Sequence, residues 1–292
     1  MSLQISELPL ESVAIKPKIN IDLLVETNLP PSPGSIIRIT KLLRDVNSST
    51  RALTDAVSYE PMLVVRVLRL VNSPIYGLER NVTSIQTALQ TIGNSVLSEI
   101  VMMELAASTF GKEIRNSIYA RNIWVHSLAV AIVARELTKH LKMSGTEEAF
   151  TCGLLHDIGK FILLSNDFEN FTLLLDDSGE SEMLRCEQEQ YGYNHAEIGS
   201  LVARRWGLQE DVCYSILHHH NPSQASQGML MAHIIDIADM IANEKGYGLR
   251  KEEREKMLNS ESVIKLNLSE DDIENIWNKV ERNITEVIKT FV

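Results

Sequence analysis

The stretch HSLAVAIVAREL, from His126 to Leu137, decides the class of the fold. His126, Val130, Val133 and Leu137 stand at i, i+4, i+7 and i+11, which is the recurrence of one face of an α-helix. Nothing in the stretch alternates with the period of two that a strand requires. Outward from it, the same spacing predicts helices over roughly 120–142, 147–165, 181–191, 195–206, 211–220, 228–244 and 269–291. Asn194 with Glu197 forms an N-terminal capping box, Gly207 sits where a C-terminal cap belongs, and Asn221-Pro222 ends the segment that carries three histidines. Towards the N-terminus the helices are shorter. Pro30, Pro31 and Pro33 end whatever precedes, and Ile36, Ile39, Leu43 and Val46 then recur at helical spacing. Pro61 is a first-turn proline ahead of Leu63, Val64, Val67, Leu68 and Val71, and Thr83 with Gln86 has the form of a second capping box.

The expected fold is therefore all-α, in two helical lobes. Residues 1–20 read as an arm, 21–112 as an N-terminal lobe, 113–248 as a second lobe and 249–292 as a C-terminal helical extension. The boundary falls around Phe110-Gly111-Lys112.

Composition agrees with that class. Of 292 residues 44% are hydrophobic and only 5% aromatic, with 14 glycines and 8 prolines, so the chain has apolar surface for a large core and little turn material. Disordered and collagen-like chains are excluded. Lys plus Arg total 28 against 39 Asp plus Glu, a formal charge of −11, which repels phosphate backbones and anionic headgroups over most of the surface. Neither nonspecific nucleic-acid binding nor membrane association is expected. No apolar run approaches the ~18 residues of a spanning helix, and the N-terminus has no secretory pattern, so a cytoplasmic protein is expected. Cys152, Cys186 and Cys213, odd in number and widely spaced, read as free thiols.

Histidine is a regional feature. Of eight, none precedes His126 and seven lie between His126 and His220. His126 lies on the apolar face of its helix. His156-Asp157 follows the apolar run from Phe150 to Leu155, and Gly159 leaves room for close approach of a ligand or another backbone. His195 opens a helix whose inner face continues through Ile198, Gly199 and Val202. Val212, Ile216, His219 and His220 share one face of the next, which turns His218 outward. In the helix from 228 to 244, Leu230, Ile234, Ile237 and Ile241 form the main stripe and Asp239 lies on a face of small residues. Asp236, His233 and Asn243 fall on the more polar side. Buried carboxylates and imidazoles on five helices satisfy one another around one or two divalent metals, or in a hydrogen-bonded histidine cluster without metal.

At this point the sequence resembles a known family. His126, GLLHDIGK from Gly153 to Lys160, His195, His219-His220 and Asp239 are similar to the HD superfamily of metal-dependent phosphohydrolases. The similarity is closer to its HDOD branch, the HD-related output domain of bacterial signalling proteins. LPPSPGSIIRITKLL from Leu29, EPMLVVRVLRLVNSPIYG from Glu60, SIQTALQTIG from Ser84 and EQEQYGYNHAEIGSLVARRWGL from Glu187 carry it, over roughly residues 25–245. The resemblance implies an all-α fold with an HD-type second lobe and a first metal site of His126, His156, Asp157 and Asp239. It implies a second site of His195, His219 and His220, by likeness to the related HD-GYP phosphodiesterases. Those enzymes continue from the histidine pair with a glutamate and a Gly-Tyr-Pro segment, whereas this chain reads His219-His220-Asn221-Pro222-Ser223, so cyclic di-GMP hydrolysis is not expected. Asn122 stands where some of them place an extra acidic ligand, and a third metal is not expected.

Two classes of function follow. In one, the chain is a regulatory binding module with a retained metal site, its partner a regulatory protein or a small phosphorylated or nucleotide ligand. In the other it is a metal-dependent phosphohydrolase, with Asp157 bridging two ions and Lys160 neutralising phosphate charge. A histidine-rich site suits Fe, Mn, Ni or Zn better than Mg.

Overall fold

The computed structural model describes residues 34–291 apart from 46, 75, 79–80, 178–179 and 249–252. The arm over 1–20, the prolines at 30, 31 and 33, the side chain of Ile36 and Val46 lie outside the described residues. Every regular element described is helical. In chain order the helices are α1 (Gly34–Arg44), α2 (Thr50–Ser58), α3 (Pro61–Val71), α4 (Ile85–Asn116), α5 (Ile118–His140), α6 (Thr146–Leu155), α7 (Ile158–Asn166), α8 (Phe168–Asp177), α9 (Glu180–Tyr191), α10 (His195–Arg205), α11 (Glu210–Leu217), α12 (Met229–Glu244), α13 (Arg254–Leu258), α14 (Glu261–Leu266) and α15 (Glu270–Phe291), with a 3-10 turn over Pro222–Gln224. None of them is long and apolar enough to cross a membrane.

The second lobe is built around α5. Its middle, Leu128 to Ala134, is buried on all sides, because α4, α6, α12 and α15 all pack against it. Small residues make that approach possible. A Cβ on Gly153 would lie 2.8 Å from Ala131 Cα and 2.9 Å from Ala131 N, so α6 rests directly on the α5 backbone. The C-terminal α15 turns Ile273, Ile276, Trp277, Val280, Ile284, Val287 and Phe291 inward, a helical stripe that packs on α5 of the second lobe and α3 of the first. Its end is tied to both. The Trp124 indole N–H donates to the Phe291 carbonyl at 3.2 Å, and the Arg66 guanidinium stacks over the Phe291 ring at 4.5 Å while pairing with Glu104.

Several local expectations are corrected. The single helix predicted over 147–165 is two, broken at His156-Asp157, where Asp157 leaves helical geometry (φ −99°, ψ 8°). The helix predicted to 220 ends at Leu217, which places His218, His219 and His220 in the following turn. The cap of α4 is Ser84, whose hydroxyl accepts from Thr87 N, and not Thr83. Around Phe110-Gly111-Lys112 the helix continues to Asn116, with only Phe110 departing from helical dihedrals. Leu230 is exposed, as is Met229 beside it in the first turn of α12. The capping box of Asn194 and Glu197 forms, and Gly207 has the positive φ of a helix terminator. Cys152 and Cys213 are buried, Cys186 is half-buried, and all three are free.

The Gly153–Ala131 contact leaves no room for a methyl group. Gly153→Ala is expected to lower stability by roughly 1–3 kcal/mol, the cost of overpacking a filled core, read as a fall in urea midpoint at constant m. An unchanged midpoint would show that α5 and α6 are not packed backbone to backbone.

Candidate metal centre

The site forms where helix ends meet around α5. His126 comes from the middle of α5 and Asp239 from the middle of α12, and both are buried. The other ligand candidates stand at helix termini: His156 and Asp157 at the α6–α7 break, His195 at the first residue of α10, and His219 and His220 just beyond α11. Gly159 brings two of these ends together. A Cβ there would lie 2.1 Å from the His195 carbonyl oxygen, so the start of α7 sits against the backbone of His195.

Two ligand groups result, His126, His156 and Asp157 on one side and His195, His219 and His220 on the other. In each, the ligand atoms lie within 4.8 Å of one another. Asp157 stands between them. Its Oδ2 is 3.5 Å from His156 Nε2 and 3.9 Å from His126 Nε2, while its Oδ1 is 3.3 Å from His195 Nε2. Asp239 completes the first group, with Oδ1 2.8 Å from His126 Nε2 and 3.9 Å from His156 Nε2, and Asn243 donates to the same oxygen at 2.9 Å. In the second group His195 Nε2 and His220 Nε2 are 2.9 Å apart. All seven metal-ligand candidates read from the sequence therefore converge, and Lys160 joins them with its ammonium 2.6 Å from Asp157 Oδ2.

The rings are held so that lone pairs point inward. The Nδ1–H of His156 donates to the Gly153 carbonyl at 2.8 Å and that of His219 to the Ile216 carbonyl at 2.7 Å, tautomers assigned from these acceptors. This leaves each Nε2 as an acceptor. The Nε2 atoms of His156 and His219 and Oδ1 of Asp157 are buried without a hydrogen-bond partner. Buried polar atoms of this kind are costly unless something satisfies them. Imidazole nitrogens with a shared carboxylate are the donor set of a transition-metal centre, so these residues fit divalent ions.

Electrostatics favour the same protonation states. Burial lowers the pKa of His156 to about 4, outweighing Asp157 and Asp239, and burial together with the neighbouring histidines holds His219 well below the ordinary range. Both are neutral at pH 7. Burial opposes charge on His126 too, but the hydrogen bond and charge of Asp239 outweigh it and raise its pKa. Asp157 stays ionised although burial works against it, because His156, Lys160 and His195 surround it. Lys160 stays charged for the reciprocal reason.

The remaining histidines lie elsewhere. His218 is half-buried, not fully outward, because it stacks parallel to the Tyr214 ring at 6.3 Å. His233 is fully buried where a polar face was expected. The C-terminal α14 covers it, and Ser262 Oγ lies 2.8 Å from its Nδ1 while bonding to Asp236. One residue that contacts the site escaped the sequence reading. Glu187, completely buried, places Oε2 2.7 Å from His195 Nδ1. Its signal was present, since Met183, Glu187 and Tyr191 stand at i, i+4 and i+8, which puts a carboxylate between two core residues.

Comparison with known proteins gives the family and the fold. The profile of the HDOD domain matches residues 29–222. The chain belongs to the HDOD family. Among solved structures, an HDOD domain protein from Geobacter sulfurreducens superposes with a TM-score of 0.74 at 25% identity, over 93% of this chain and 96% of that one. A Shewanella amazonensis protein provisionally named a phosphohydrolase shares the fold, with a TM-score of 0.72 at 24% identity over 94% of this chain and 98% of that one. Among curated relatives, a Treponema pallidum protein without assigned function is 25% identical over 68% of this chain and 39% of its own length. A ribonuclease Y of Thermus thermophilus is 31% identical over 49% of this chain and 20% of its own length. The HDOD chain thus spans well under half the length of these curated relatives.

The low pKa of His156 sets a pH dependence. An unfolded histidine takes its proton near pH 6.5 and the folded one only near 4, so the stability this residue contributes is intact above pH 6.5 and is lost as pH falls towards 4. In metal-free protein the loss is expected to reach roughly 3 kcal/mol. Denaturant unfolding at pH 7 and pH 4.5 measures it. His156→Gln is expected to flatten that interval, and an unaltered slope would mean that His156 is not buried neutral.

Proposed function

We propose that this HDOD protein is a metal-dependent phosphohydrolase of a cytoplasmic signalling system, acting on a small phosphorylated or nucleotide ligand. The observation that carries the proposal is the division of Asp157, one oxygen towards each of two histidine groups, with one buried imidazole nitrogen in each, His156 Nε2 and His219 Nε2, left without a hydrogen-bond partner. His126, His156, Asp157 and Asp239 would hold one divalent ion, and His195, His219 and His220 with Asp157 a second. Fe, Mn, Ni or Zn suits this donor set. Such ions lower the pKa of bound water and polarise a phosphoryl oxygen.

The chain's own residues do the rest. Lys160 presents a fixed positive charge beside Asp157, placed to neutralise a phosphate oxygen, and Asn243 fixes the orientation of the Asp239 carboxylate. The neutral state of His156 and His219 keeps their lone pairs available at pH 7. The likeness to Thermus ribonuclease Y brings RNA forward as a phosphodiester substrate. The formal charge of −11 favours a small ligand over a polyanion held along its backbone. A second reading, a binding module that senses a ligand or a regulatory protein without turnover, is favoured by the burial of the ligands, of which His156, His195 and His219 are each 1% exposed.

The test uses protein purified without a histidine tag. At least one molar equivalent of transition metal is expected, lost in Asp157→Ala. With metal, hydrolysis of bis(4-nitrophenyl) phosphate is expected to fall by about two orders of magnitude or more in Asp157→Ala, the scale on which loss of transition-state electrostatics acts. Cleavage of a single-stranded oligoribonucleotide in preference to the small diester would favour RNA. Metal-loaded protein with no activity above the variant's background leaves the binding module, and a chain that takes up no metal overturns the proposal.

A further inference from the structure

The two ligand groups are unequal in charge. The first holds Asp157 and Asp239 among its ligands, whereas the second has three imidazoles and only its share of Asp157. A divalent ion held by neutral imidazoles retains its full charge in a buried site, which is unfavourable unless an anion stands close behind the ligands. Glu187 is that anion. It projects from α9, is completely buried, and accepts two hydrogen bonds on one oxygen, from the His195 backbone N–H at 2.9 Å and from His195 Nδ1–H at 2.7 Å. Its other oxygen has no hydrogen-bond partner.

We propose that Glu187 is the positioning residue of the second group: it fixes His195 as the Nδ1–H tautomer, aims the Nε2 lone pair at the ion position beside Asp157 Oδ1, and supplies the carboxylate charge that the three histidines lack. Imidazole ligands backed by a carboxylate are stronger and better oriented donors, and removing such a partner weakens metal binding about 10- to 100-fold. His156 and His219 are backed by backbone carbonyls, whereas His195 is backed by a carboxylate. The local fold serves the arrangement. Gly192, at φ +82°, turns the chain between α9 and α10 so that His195 opens its helix facing back onto α9. The carboxylate therefore also satisfies an unpaired N–H at the start of α10. A purely structural role would consist of that second bond alone.

The inference rests on reading the site as a metal centre, and the experiment separates the two. Full-length wild type, Glu187→Gln and Glu187→Ala are compared in three measurements: thermal unfolding, imidazole 15N shifts of the metal-free protein, and titration with Mn(II) or Zn(II). The His195 signals are assigned by their loss in His195→Gln. Glu187→Gln retains an acceptor for the backbone N–H, so its melting temperature is expected to stay close to wild type. The wild-type His195 is expected to show the Nδ1–H pattern. Glu187→Ala is expected to depart from it, whereas Glu187→Gln, whose amide oxygen can accept both bonds, is expected to keep the tautomer while losing the charge, and in both variants the second equivalent of metal is expected to bind at least tenfold more weakly with the first unchanged. If wild-type His195 carries its proton on Nε2, or if both variants keep its 15N pattern, the positioning role is overturned whether or not metal binds. If wild type takes up two ions and both variants hold the second as tightly, this inference fails while the metal centre stands.

Discussion

The centre depends on one buried carboxylate, Asp157. Ionised and 2% exposed, it would be heavily penalised were it not for Lys160, which donates to its Oδ2, and the three imidazoles gathered around it. Lys160 answers it from three residues along the chain, while His126, His156 and His195 approach from three different helices. Those approaches require the helix that sequence spacing extends from 147 to 165 to break. In an unbroken helix neighbouring side chains diverge by about 100°. Ending α6 at Leu155 and restarting at Ile158 turns His156 and Asp157 towards one point.

Helix ends recur throughout the site for a physical reason. A terminating α-helix leaves its last carbonyls without intrahelical partners, and these accept hydrogen bonds well. His156 and His219 each bond Nδ1–H to the carbonyl three residues before, Gly153 at the end of α6 and Ile216 at the end of α11. The backbone thereby satisfies its orphan acceptor and orients a ligand with one bond. His195 stands at the opposite kind of end, where an N–H is unpaired, and Glu187 serves both it and the ring. Precision then comes from packing. Gly153 seats α6 on the backbone of α5, and Gly159 seats α7 on that of His195, so spacings are set by main-chain contacts that cannot drift as side chains do.

Much of this was legible in the sequence, because period and spacing report which face a residue occupies. His126 shares a face with Val130, Val133 and Leu137, and Asp239 lies among small residues, and both are buried as those positions predict. The fold class followed from the same periodicity. What the sequence hid depends on contacts between distant segments. His233 falls on a polar stretch of α12 and is buried because α14, some thirty residues later, covers it. The break at His156-Asp157 is invisible to periodicity because the segments on both sides of it are apolar and buried. Glu187 was overlooked for a different reason. An acidic residue in a helix of low hydrophobicity reads as solvated, and only its phase between Met183 and Tyr191 marks it as internal.

Charge gives the site an order of events. The chain carries a formal −11, and the centre is itself acidic: Asp157, Asp239 and Glu187 are buried around Lys160, so carboxylates outnumber fixed cations even when His126 holds a proton. Such a pocket attracts divalent cations and repels a phosphate group. On the proposed function, a phosphate group would be accepted only with ions whose positive charge exceeds that of the carboxylates, and Lys160, which donates to Asp157 Oδ2, would then be the chain's own cation nearest to it. If the proposed function holds, the overall acidity that argues against polyanionic partners would thus make the metal content of the centre the control on whether a phosphorylated ligand binds at all.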